Sequence, residues 1–119
     1  MESEEALSVF AALSQATRLD VFRLLIAREP VGMAAGEIAR QIGVPHNTMS
    51  THLGILTRAG LIAAERQSRS IIYRARLETV KSLVGYLLND CCGGRPEICA
   101  PVIAALSPCC SASEKAPHD

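Results

Sequence analysis

Apolar residues recur along this chain with two different periods, and each change of period marks an element boundary. Between residues 4 and 13, Leu7, Phe10 and Leu13 follow helical spacing, which predicts a first helix ending before Ser14. Ser14 or Thr17 can cap a second helix, TRLDVFRLLIARE. There Leu19, Phe22, Leu25 and Ile26 share one face, with Arg18, Asp20 and Arg23 outside it. Pro30 and Gly32 then break the chain in EPVGMAA. Gly36 to Ile42 predicts a third helix that buries Ile38 and Ile42, and Gly43 and Val44 a tight turn. Pro45 to Ala59 predicts a fourth, stopped by Gly60. Proline suits a first helical turn because its φ is fixed and its missing N–H has no helical partner to lose there.

In that fourth helix Met49, Leu53 and Leu56 stand at i, i+4 and i+7, an inward stripe. His46, Asn47, Thr48, Ser50, Thr51 and His52 crowd its opening turns with short polar groups. The pair of helices reads as a helix-turn-helix, and the polar surface fits a DNA groove. After Gly60 the period drops to two. LIAAER and SIIYRARL form a hairpin, or wing, in which Ile71, Tyr73 and Ala75 alternate with Ile72, Arg74 and Arg76. Its joint through Gln67, Ser68 and Arg69 lacks glycine, which predicts a loop longer or looser than a two-residue turn. Leu77 to Asp90 returns to helical spacing with Val80, Leu83, Val84, Leu87 and Leu88, a stripe too apolar to face water. The expected architecture is mainly α with a small β-hairpin, a winged helix-turn-helix in the order ααααββα that forms a homodimer through its terminal helices. Residues 1–92 make a winged-helix DNA-binding and dimerisation domain. Residues 93–119 make a cysteine-bearing segment: Gly93 and Gly94 end the last helix, PEICAPVIAAL forms a short apolar turn, and SPCCSASEKAPHD is a partly disordered tail.

Composition sharpens this picture. A chain of 119 residues, 49% hydrophobic and 3% aromatic with no Trp, is about one domain with an aliphatic, helix-rich core. Lys plus Arg equal Asp plus Glu at 12 each, which argues against a protein that coats nucleic acid non-specifically. The charge is nevertheless uneven. Pro45 to Arg76 holds Arg58, Arg66, Arg69, Arg74 and Arg76 against the single acid Glu65, so the positive field lies beside the reading helix. Arg66 and Arg69 on the wing are candidates for backbone or minor-groove contact, and Asn47 can pair bidentately with adenine. Thr48, Ser50 and Thr51 can reach phosphates or base edges. His46 and His52, six apart, cannot chelate one ion as an i, i+4 pair could and read as DNA-facing or capping. The start of the chain has no basic, apolar leader pattern, and no run approaches the roughly 20 apolar residues that span a bilayer. A cytoplasmic protein without a membrane partner is expected.

ALSQATRLDVFRLL, GEIARQIGVPHNTMSTHLGILTRAGLI and RQSRSIIYRA together resemble the ArsR/SmtB family of bacterial winged-helix regulators, over about residues 5 to 90. The resemblance implies a homodimeric repressor that binds double-stranded operator DNA and leaves it when an inducer binds. Several inducer patterns of the family are unmatched. Ala34, Ala35, Gly36 and Glu37 stand where many arsenic sensors carry Cys-x-Cys. Leu77 to Asp90 has no His for a zinc site, and Pro45 to Ala59 has no Cys for a cadmium or lead site. What remains is similar to a smaller subgroup of arsenite sensors with thiols just after the last helix, here Cys91, Cys92 and Cys99.

All five cysteines lie after residue 90, and in a reducing compartment they suggest thiol ligands or redox thiols over a disulfide framework. Three soft thiolates can hold As(III) or Sb(III), the expected inducer, in a pyramidal site. Tetrahedral zinc is second choice, since the usual paired-Cys spacing is missing. The plainer reading makes Cys91 and Cys92 small buried hydrophobes with Cys99 incidental. Cys109 and Cys110 are auxiliary, a second weak site, or redox-prone. The alternative function is a redox- or persulfide-sensing repressor of the same fold. A thiol enzyme is disfavoured by the lack of Cys-x-x-Cys and of an adjacent His base, and no catalytic residue or catalytic cofactor is expected. A pure interaction module working through the apolar last helix is the remaining alternative.

Overall fold

The computed structural model describes Met1 to Cys92, with side chains to Leu88, and Pro101. The expected helix stop at Gly93 and Gly94, the PEICAPVIAAL turn and the polar tail lie outside the described residues. The elements are α1 (Ser3–Leu13), α2 (Ala16–Ala27), β1 (Met33–Ala34), α3 (Ala35–Ile42), α4 (His46–Arg58), β2 (Ile62–Gln67), β3 (Ser70–Ala75) and α5 (Leu77–Cys92). The chain divides into two compact units, and the boundary falls inside α5, between Leu83 and Val84.

Helix α1 opens with the Glu5 carboxylate accepting from the Glu2 backbone N–H at 2.9 Å. It buries Ala6, Val9 and Ala12, and leaves Leu7 63% and Phe10 44% exposed. The smaller residues point at the core, Leu7 and Phe10 stand outside, and Leu13 is half-buried. Helix α2 is capped by Gln15, whose side-chain oxygen accepts from Arg18 N at 3.0 Å, and not by Ser14 or Thr17. The Ser14 hydroxyl instead donates back to the Ala11 carbonyl. Val21, Phe22 and Leu25 are buried, but Leu19 and Ile26 are exposed. Arg18, expected outside, is half-buried.

Helix α3 is closed by Gly43 at φ +87°, with the Gly43 and Val44 amides both donating to the Ala39 carbonyl. Ile38 is fully buried as predicted, while Ile42 is half-buried and Ala39 takes the second core position. Pro45 lies one residue earlier than expected, as the N-cap of α4. The other end of α4 is a Schellman closure. Leu61 N donates to Leu56 O and Gly60 N to Thr57 O, both at 3.0 Å, with Gly60 at φ +82°. Leu56 and Leu61, at the two ends of that motif, are both fully buried. Together with Val9, Val21, Leu25, Ile38, Met49, Leu53 and Ile62 they form the core. Each such aliphatic side chain removed from water is worth about 1.5–3 kcal/mol.

The sheet has three antiparallel strands in the order β1-β3-β2. Strand β1, not visible as a strand in the sequence, adds Met33 opposite Tyr73 and Ala34 opposite Ile72. The wing runs in register from Ile62↔Ala75 to Gln67↔Ser70, which leaves only Ser68 and Arg69 as the turn. The expectation of a longer loop is therefore corrected: Ser68 itself takes φ +58° and supplies the positive angle usually left to glycine. At the base of the wing Arg74 bridges Glu29 at 2.8 Å and approaches Glu65 at 3.5 Å. Helix α5 then starts at Leu77, its Thr79 hydroxyl donating to the Gly60 carbonyl at the end of α4. Leu83 is buried, and Val80, Val84, Leu87 and Leu88 are half-buried.

Candidate nucleic-acid interface

Reading helix α4 is two-faced. Met49, Leu53 and Leu56 are at most 1% exposed and anchor it in the core. On its outer side His46, Asn47, Thr48, Ser50 and Thr51 are all exposed. Asn47, Thr51 and Arg58 fall at i, i+4 and i+11, one continuous line opposite the core stripe. Arg58 is thus an outward cation at the far end of the polar surface, a residue that the reading of opening turns alone leaves out.

The polar groups of the first turn are partly engaged. Asn47 Oδ1 accepts from the Thr48 backbone N–H at 2.9 Å, and the Thr51 hydroxyl donates to the Asn47 carbonyl at 3.4 Å. Asn47 Oδ1 keeps a second lone pair, which bidentate pairing with adenine can use beside the bond to the Thr48 amide. That local bond spends one of the free N–H groups at the helix start, so phosphate and Asn47 compete for the same donor. His46 is the first helical residue and is exposed. His52 stands in the middle of α4, half-buried, and does not cap it. Its Nδ1 lies 3.2 Å from Nη1 of Arg18 on α2. The same guanidinium donates through Nε to the Ala12 carbonyl of α1 at 2.6 Å.

On the wing, Arg66 and Arg69 are exposed, Arg69 within the two-residue tip. Arg74 serves structure instead: Glu29, its closest partner, holds the guanidinium proton even more tightly than usual, with Glu65 adding to the effect. In front of the turn, the α3 carboxylate of Glu37 accepts from Gln41 at 3.0 Å and pairs with Arg40. Those two partners, Gln41 first, hold its carboxyl below the ordinary range. Cys91 and Cys92 are the last two residues of α5. Cys99, Cys109 and Cys110 lie outside the described residues. Among the described residues no three His, Cys, Asp or Glu side chains are grouped to hold a metal, and no helix is long and apolar enough to cross a membrane.

A helix-turn-helix whose second helix presents a polar outer line, flanked by a cationic two-stranded wing, defines a DNA-binding winged-helix head. A Helix-turn-helix domain family model matches residues 13–64. The chain is 40% identical over 76 residues to the HTH-type transcriptional regulator KmtR of Mycobacterium tuberculosis, covering 64% of this chain and 56% of KmtR's length. It is 30% identical over 82 residues to the transcriptional repressor SdpR of Bacillus subtilis, covering 69% of this chain and 88% of SdpR. An ArsR-like transcriptional regulator from Rhodococcus sp. RHA1 superposes with a TM-score of 0.66 at 26% identity, covering 83% of this chain and 90% of that one. The chain belongs to the ArsR-like winged helix-turn-helix family of DNA-binding transcriptional regulators.

Proposed function

We propose that this chain is a homodimeric, cytoplasmic repressor that trivalent arsenic or antimony, held by Cys91, Cys92 and Cys99, releases from operator DNA. The observation that supports it most is the continuity of α5. One helix runs from Thr79, hydrogen-bonded to the residue that stops the reading helix, to Cys92, where the thiols begin. A ligand that gathers thiols at one end of this helix acts on an element tied to the reading head at the other. Coupling of about 1–3 kcal/mol, typical of allostery, changes DNA affinity 5- to 150-fold. The donor chemistry fits: thiolates are soft, and trivalent arsenic and antimony are thiophilic. Self-association is supported by α1, whose Leu7 and Phe10 are left 63% and 44% exposed on one helical face.

The test is fluorescence anisotropy of the reduced, full-length protein on a duplex it selects from a randomised library, with and without arsenite, at one stated salt concentration. Release by arsenite, lost in Cys91→Ser, Cys92→Ser and Cys99→Ser, is the expected result. DNA binding that survives arsenite refutes the metalloid reading. If peroxide or sulfide then releases the DNA with a matching mass shift, the cysteines are redox sensors.

A further inference from the structure

Arg18 belongs to α2, far from the DNA-reading surface in sequence, yet its side chain reaches the reading helix. Its guanidinium makes two bonds at once: Nε to the Ala12 carbonyl of α1 at 2.6 Å, and Nη1 to His52 Nδ1 of α4 at 3.2 Å. A guanidinium is charged at every relevant pH and carries only donors. The ring nitrogen facing it must therefore accept, which leaves Nδ1 bare and places the imidazole proton on Nε2. Among the described residues the buried, unpartnered side-chain polar atoms are Glu29 Oε2 and Arg74 Nε. His52 as a whole is half-buried, and its Nε2 is not among them. His52 stands at i+4 from exposed Thr48, on the flank of the outer surface of α4.

We infer that Arg18 is a positioning residue for DNA reading: it locks His52 as the Nε2–H tautomer, so that α4 presents a hydrogen-bond donor to the duplex at this position. The two tautomers are opposite in polarity. An Nε2–H donates to a phosphate oxygen or to guanine N7 or O6, whereas a bare Nε2 would accept, as from the cytosine amine. The bond to Ala12 fixes the guanidinium from the other side, so the ring is aimed as well as polarised. This rests on DNA recognition through α4.

The experiment has two readouts on the full-length chain. Long-range proton–nitrogen NMR of the free protein at mildly alkaline pH, where imidazoles are neutral, reads the His52 tautomer directly. The expected spectrum has an unprotonated Nδ1 and a protonated Nε2 in the wild type, and a solvent-like mixture in Arg18→Lys. Anisotropy on the duplex selected by the wild type gives the second readout. Arg18→Lys weakens binding about tenfold, since a lysine can serve Ala12 or His52 but not both with one fork. His52→Gln removes the imidazole whose tautomer Arg18 sets and lowers binding by a similar factor, about tenfold. Arg18→Lys in the His52→Gln background then costs nothing further. A wild-type ring protonated at Nδ1 overturns the inference alone. So does an equal loss from Arg18→Lys in both backgrounds, the mark of a residue that only braces α1 and α2. A chain that enriches no duplex overturns DNA recognition by α4, and the inference with it.

Discussion

Gly32 and Gly43 provide a matched pair for separating backbone strain from steric strain. Both have positive φ, +77° and +87°. At Gly43 nothing stands within 4 Å of an added Cβ. At Gly32 a Cβ would lie 2.6 Å from Arg74 Cγ, 2.7 Å from Ile72 Cγ2 and 2.7 Å from the Tyr73 carbonyl oxygen. The alanine at either site bears the left-handed backbone cost of about 1–2 kcal/mol. Only Gly32→Ala adds overpacking, about 1–3 kcal/mol. The neighbours have little room to yield. Tyr73 sits in the central strand, paired with Met33 on one side and Ala64 on the other. The Arg74 stem could bend, but its guanidinium is held by Glu29 at 2.8 Å.

Gly32→Ala should therefore cost about 2–5 kcal/mol against about 1–2 kcal/mol for Gly43→Ala. The entropy that alanine removes from the unfolded chain is common to both and cancels in the comparison. Urea denaturation followed by circular dichroism measures the difference. With slopes of about 1–3 kcal/mol per M, the Gly32→Ala midpoint should fall below that of Gly43→Ala by roughly 1 M. Equal midpoints would show that the close packing of the α2–β1 turn on β3 contributes nothing, and would refute the steric argument.

Other outcomes follow from the exposed surfaces. Phe10→Glu places a charge on the unburied face of α1 and should weaken self-association at least 30-fold with the monomer fold intact, read by light scattering after gel filtration; an unchanged assembly would remove α1 from the interface. Arg66→Ala and Arg69→Ala should each lower the slope of log affinity against log salt by about 1 without altering base preference, and an unchanged slope would take that residue off the phosphate backbone. The Glu37 carboxyl is held below the ordinary range by Gln41 and Arg40. A folded value below the unfolded one means that its stabilisation is full above the unfolded value and is lost as pH falls through the folded one. Glu37→Gln should thus be less stable than the wild type near neutrality and equal to it well below about pH 4, checked by denaturation over a pH series.

How far the sequence disclosed this protein depended on contrast between neighbouring residues. In α4 the contrast is complete: Met49, Leu53 and Leu56 against Asn47, Ser50 and Thr51, with Pro45 before and Gly60 after. Period, start and stop all agreed, and the reading helix was found within a residue at each end. In α1 both faces are apolar, so periodicity identified a helix but not its inner side. Ala6, Val9 and Ala12 went inward because small side chains let α1 lie close on its neighbours, which leaves Leu7 and Phe10 for another surface. Strand β1 has two residues, too few to show any period, and exists because β3 offers it an edge.

Side-chain type misled where a long polar residue could reach inward. Arg18 and Arg23 have the same composition signal on α2, yet one is half-buried and the other exposed. The difference lies in what surrounds them: at Arg18 the end of α1 offers the Ala12 carbonyl and α4 offers His52. Those three residues come from three helices, with 34 positions between Arg18 and His52. Local spacing rules carry information over one or two turns, so they could mark His52 as a DNA-facing candidate but not find the group that decides which of its nitrogens carries the proton. The polar face of the reading helix was legible residue by residue; its hydrogen-bonding polarity is set by packing two helices away.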